Sequence, residues 1–242
     1  MQARALETEG IFIEQVKGGT MTNGVNLEDV ARAVAAADPD FDADGQRIFV
    51  QTVRLLARGE PVSPAGIADA AGVPAEQAHE RLRSWPLVFW DDQDRVTGFF
   101  GLAAGRLKTA HRIEANGLTV YGWCAWDTLF LTELLGMETH VESADPLSGQ
   151  TIRLTVTPQG VKEVRPAGVV VSLLRPDGPR GSDVVESFCH FVHFSASRES
   201  AERWLADHPG TFLLSVDEAF ELGRLTNRLR APEVFGGGEV VR

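Results

Sequence analysis

The sequence predicts an α+β protein: an N-terminal winged-helix-like helical module followed by a mixed domain with mainly antiparallel sheet and packed helices. Three observations carry this expectation. Residues 47–84 hold helical patterns broken at Gly59, Gly72 and Pro74, with helix-turn-helix spacing. The next stretch, LVFWDDQDRVTGFFGL, sets two β-prone runs around a polar tip, as the wing of such a module would. From about Arg106 strand-like runs mostly succeed one another, which favours antiparallel pairing over a doubly wound sheet.

Taken in order, Asn26 followed by LEDVARAVAAAD reads as a capped helix. Glu28 and Asp29 sit in its first turn, and Leu27, Val30, Ala31 and Val34 form one apolar stripe. It breaks at Asp38-Pro39, and the acidic DPDFDADG reads as a linker, so residues 1–44 are expected to be an arm or extension. Residues 45–105 form the winged-helix-like structural module and residues 106–242 the α+β domain. In the latter LTVYGW, TIRLTVT, GVVVSLL, SFCHFVHFS and TFLLSV are strand-like, while CAWDTLFLTELL, SAERWLADH and VDEAFELGRLTNRLR are helix-like. The closing FGGGEVVR reads as a frayed tail.

Charge narrows the partners. With 34 acidic against 23 basic side chains, a net charge of −11, the chain has no electrostatic attraction to nucleic acid or to an anionic membrane. The expected recognition helix sets Glu76 and Glu80 against Arg81 and Arg83, and the wing tip carries Asp91, Asp92 and Asp94 where a DNA binder needs cations. The module is therefore expected to be scaffold rather than the reader of a transcription regulator. No apolar run approaches the roughly 20 residues of a membrane span, and the N-terminus lacks the apolar region of a signal peptide. Two cysteines without CxxC spacing suit a reducing cytoplasm. There is no phosphate loop, dinucleotide fingerprint, GxSxG elbow or HExxH, so no organic cofactor is implied.

What remains is thiol and carboxylate chemistry. Cys124 stands at the junction of a strand-like and a helix-like run, where free backbone N–H groups would favour a thiolate, and Asp127 follows one helical turn later. Equally, a buried cysteine and a helix-start aspartate would look the same. Cys189 lies in ESFCHFVHFSAS; read as a strand, it puts Cys189, Phe191 and His193 on one face. A zinc site from Cys124, Cys189 and His193 is conceivable, although their spacing matches no known pattern. Tyr121, the chain's only tyrosine, shares the first segment.

In order and spacing, ARGEPVS, YGWCAWDTL, TVTPQGVKEVRPAGVVVSL, SFCHFVHFSAS and VDEAFELGRLTNR resemble the alkylmercury (organomercurial) lyase family across roughly residues 45–230. The resemblance implies an enzyme that cleaves carbon–mercury bonds by protonolysis to a hydrocarbon and Hg(II). Its two mercury-binding cysteines fall at Cys124 and Cys189 and its proton-relaying aspartate at Asp127, all three contacting Hg(II). Mercury is then substrate and product, not a cofactor. Cys124 is expected to take the organomercurial first, with Cys189 added second. Some members carry a further cysteine where His190 stands. Expected partners are organomercurial small molecules, small thiols, and mercuric reductase as acceptor of Hg(II). The alternative is a non-catalytic relative of the same fold that binds or senses heavy metal.

Overall fold

The computed structural model describes residues 21–22, 24–105, 109 and 111–236; residues 1–20 of the expected arm and 237–242 of the expected tail lie outside them. A two-stranded ribbon, β1 (Met21–Thr22) and β2 (Val25–Asn26), leads into α1 (Leu27–Ala36). The Asn26 side chain accepts the N–H groups of Glu28 and Asp29, and the stripe of Leu27, Val30, Ala31 and Val34 is buried. Each such side chain contributes about 1.5–3 kcal/mol where a large aliphatic group leaves water.

The acidic stretch expected to be a linker is instead part of the packed protein. Asp42 caps α2 (Ala43–Leu56), which starts four residues before the Arg47 read from the sequence, and also pairs with Arg81. Phe41 packs edge-on against Trp85 and Phe100. Charge density suggested solvent, and Asp40 is exposed, but Asp38, Asp42 and Asp44 each have a side-chain or backbone partner. α3 (Pro64–Ala71) and α4 (Ala75–Ser84) follow, separated at Gly72, whose φ of +66° closes α3 in the left-handed conformation.

β3 (Val88–Trp90), β4 (Val96–Phe99) and β5 (Leu102–Ala103) come next, then β6 (Arg112–Ala115), β7 (Leu118–Gly122) and α5 (Asp127–Leu135). β8 (Thr139–Ala144), β9 (Thr151–Thr157) and β10 (Gly160–Arg165) complete an eight-stranded antiparallel sheet of order β10-β9-β8-β6-β7-β5-β4-β3. Leu102 pairs with Gly122, so this sheet runs unbroken across residue 105. β11 (Val170–Leu174), the one-turn α6 (Val184–Ser187), β12 (Phe194–Ser195), α7 (Arg198–Asp207) and β13 (Thr211–Ser215) build a second sheet of order β12-β11-β13. α8 (Val216–Arg230), started by a Ser215/Glu218 capping box, packs against α1 and α5, and α9 (Pro232–Phe235) ends the described chain.

One strand read from the sequence is absent. ESFCHFVHFS is α6, then a 3₁₀ turn over Cys189–Phe191, and only Phe194–Ser195 joins a sheet. Its alternation of apolar and polar residues suited a strand, but its backbone groups are satisfied otherwise: Val192 N–H bonds Cys189 O, and Ser172 Oγ donates to Phe191 O and accepts from His193 N–H. No helix of the described residues is long and apolar enough to cross a membrane.

Candidate active site

α5 begins at Asp127, so Cys124 stands three residues ahead of it, in the turn that leaves β7. That turn is fastened on three sides. Trp123 N–H bonds Gly101 O at 2.8 Å, Cys124 N–H bonds Asp127 Oδ2 at 2.6 Å, and Ala125 N–H bonds Val192 O at 3.1 Å. The last bond joins the two cysteine segments directly. The carbonyl of Val192 that strand pairing would have claimed instead fixes Cys189 beside Cys124.

The result is a cluster in which one ligand atom from each of Cys124, Asp127 and Cys189 lies within 4.8 Å of the others, all three residues being buried. It is the only such group of three among the described residues, and it excludes His193, whose Nε2 lies 2.7 Å from His190 O. The conceivable zinc set of Cys124, Cys189 and His193 is thus not assembled. Both cysteines are free thiols. Tyr121 pairs in β7 with Arg112 and Ala103 and is not among the residues lining the cavities that reach Cys189.

Electrostatics departs from the sequence expectation at Cys124. A helix start was expected to ease its deprotonation; instead burial pushes the thiol well above its ordinary range, and the nearby Cys189 and Asp127 push it further. Burial also lifts the Asp127 carboxyl to about 7, against the Cys124 hydrogen bonds and the positive charges of Arg180 and Arg230. Trp123, Phe100 and Phe130 line the small enclosed cavity around this carboxyl. An acid balanced near neutrality can both give and take a proton, and two soft sulfurs beside it suit a soft cation.

Three contributors escaped the sequence reading. Gly101, with φ +96°, approaches Asp127 so closely that a Cβ there would lie 2.3 Å from Oδ1, so only glycine fits. Arg180 and Arg230 flank the same cavity, and both are paired to Asp38, whose side chain is fully buried. Arg230 also lies over the rings of Phe49, Phe100 and Phe130. The Asp38-Pro39 break marked the position of Asp38 in the sequence but not its partners, which lie 142 and 192 residues away.

A model of the MerB family, alkylmercury lyase, matches residues 106–227. An alkylmercury lyase of Staphylococcus epidermidis is 40% identical over 177 residues, which is 73% of this chain and 80% of that one. Another, of Bacillus cereus, is 40% identical over 178 residues, 74% and 79% of the two chains. A crystal structure described as the mercury-bound form of MerB2 shares the fold, with a TM-score of 0.65 at 19% identity over 84% of this chain and 98% of that one. These likenesses favour catalysis over a merely metal-binding relative: the chain belongs to the alkylmercury lyase family, and its activity is that of an alkylmercury lyase.

Proposed function

We propose that Cys124 and Cys189 hold mercury between their sulfurs while Asp127 relays a thiol proton to the carbon that mercury leaves. The carbon–mercury bond breaks with its electron pair on carbon, and an unprotonated carbanion is too basic to leave into a protein interior. The proton must therefore arrive as the bond breaks. One thiol proton passes to Asp127 and on to carbon, both sulfurs end as thiolates on Hg(II), and the organic group departs as the hydrocarbon. The observation that carries this reading is the convergence of two free thiols on a buried carboxyl whose pKa is raised to about 7.

Benzene release from phenylmercury in the presence of excess small thiol tests it. Cys124→Ser and Cys189→Ser should each lose turnover, and Asp127→Ala should bind mercury yet release no benzene. In deuterated water each benzene should carry one deuterium. Normal benzene production by Asp127→Ala would rule the relay out.

Residues 45–105 fit a winged-helix-like module kept as scaffold: the acidic tip of β3–β4 and the shared sheet support structure rather than DNA reading. Residues 1–44 are the preceding extension and 106–242 the catalytic domain. Hg(II) leaves to a small thiol or to mercuric reductase. Two buried, unpaired thiols fit work in a reducing cytoplasm.

A further inference from the structure

Two cavities meet at Cys189. One is small and enclosed, about 10 Å³, with Asp127, Arg180 and Arg230 in its walls. The other, of about 560 Å³, opens to solvent and is lined by Thr109, His111, Trp123, Val185 and His190 as well as Cys189. Trp123 and Cys189 are common to both and so form the partition between them. Cys124 is fully shielded from solvent and lines neither cavity, whereas Cys189 keeps 5% exposure.

We propose that the larger cavity is the subsite for the organic group of the substrate, and that Cys189, not Cys124, makes the first bond to mercury. This rests on the thiol roles given above and reverses the order expected from the sequence. A phenyl or short alkyl group finds apolar walls in Trp123 and Val185, and the volume admits an aryl ring together with the small thiolate that mercury carries in solution. In the first step a sulfur lone pair of Cys189 forms the S–Hg bond. The bond from mercury to the small thiolate breaks with its electrons on that thiolate, which takes the Cys189 proton and leaves as a thiol. Mercury then sits at the partition, with its organic group still in the outer cavity. The next partner is Cys124, whose sulfur lies within 4.8 Å of that of Cys189, so mercury held at the partition is already within reach of the second thiol.

The test mixes the phenylmercury adduct of mercaptoethanol with wild-type protein, Cys124→Ser and Cys189→Ser, and follows capture as the sum of the 1:1 phenylmercury and Hg(II) adducts by quenched-flow intact mass. Cys124→Ser should capture at nearly the wild-type rate and Cys189→Ser at least about tenfold more slowly, since it lacks the only thiol at the outer cavity. Equal rates, or the reverse order, overturn the proposal. Val185→Trp, on the solvent side of the one-turn α6, gives a second reading that needs no thiol change. It should slow phenylmercury capture more than methylmercury capture; equal or absent effects would remove the organic group from this cavity. Benzene measured in the same wild-type samples reports separately on the protonolysis roles, since capture is scored by mass whether or not benzene forms.

Discussion

The two cysteine segments differ in how they are built. Around Cys124, backbone and side-chain bonds reach the Gly101 turn, α5, the Val192 carbonyl and, through the Trp126 indole to Ala219 O at 2.9 Å, α8. Cys189 sits instead on a one-turn helix and a 3₁₀ turn whose neighbours Val185, Glu186, Ser187 and His190 are exposed. One half of the cluster is thus a fixed frame holding thiol and acid in register, and the other is a surface turn that places a thiol at the wall of the solvent-open cavity. Local stability follows bonding and burial, so the two halves should open with different free energies.

The strongest way to break this difference is through Asp38. Its carboxylate pairs with Arg180 and Arg230, and Arg180 N–H also bonds Ala37 O at 2.8 Å, which ties the loop before α6 to the end of α1. Asp38→Ala strands two buried guanidiniums, so unfolding should become easier by about 3–5 kcal/mol, the cost of removing one partner of a buried pair. Urea denaturation measures the loss. Beyond it, the Cys189 turn should loosen more than the Cys124 turn, because Arg180 lies over the ring of Phe188, the residue next to Cys189. A loss below about 1 kcal/mol, the range of a surface pair, would mean that the cluster is solvated.

How much of this could be read from the sequence follows the range of each interaction. Asn26 capping α1, Gly72 ending α3 and the period of α8 are local, and the sequence placed all three. Cys124, Asp127 and Cys189 were named from the sequence through their family pattern, since nothing within three residues of Cys124 announces a second thiol 65 positions on. The 3₁₀ turn at Cys189 was illegible because the bonds that replace strand pairing come from Ser172 and Ala125, distant in sequence. The acidic stretch misled for the same reason: charge density is local, whereas the arginines that bury Asp38 are not.

A second prediction acts on the fixed half. Asp127 has its carboxyl raised from 3.8 to about 7 in the folded protein, so between those values the native state holds a proton that the unfolded chain has released. Stability attributable to this group therefore falls as pH rises through that window and is lost above it. Asp127→Asn should match the wild type near pH 4 and exceed it near pH 8, by up to about 4 kcal/mol if the whole shift is expressed. His111 works the other way. Buried, with Nδ1 2.7 Å from Ser143 Oγ, it stays neutral down to about 3, so acidification below 6.5 destabilises both proteins alike and cancels in the difference. Parallel stability curves for the two proteins from pH 4 to 8 would show that Asp127 ionises without cost.

The smallest expected effect sharpens the comparison without any substitution. Amide hydrogen exchange should protect Trp123, Cys124 and Ala125, whose N–H groups bond Gly101 O, the Asp127 carboxylate and Val192 O, by at least about tenfold over His190 and Phe191 in the exposed turn. Hg(II) bridging both sulfurs would tie that turn to the frame, so mercury should slow exchange at His190 and Phe191 while leaving the already protected trio nearly unchanged. The size of that slowing measures how much of the turn's freedom the second sulfur removes. Mercury-induced protection confined to Trp123–Ala125 would mean that the metal stays on Cys124 alone and that the two halves are never joined through it.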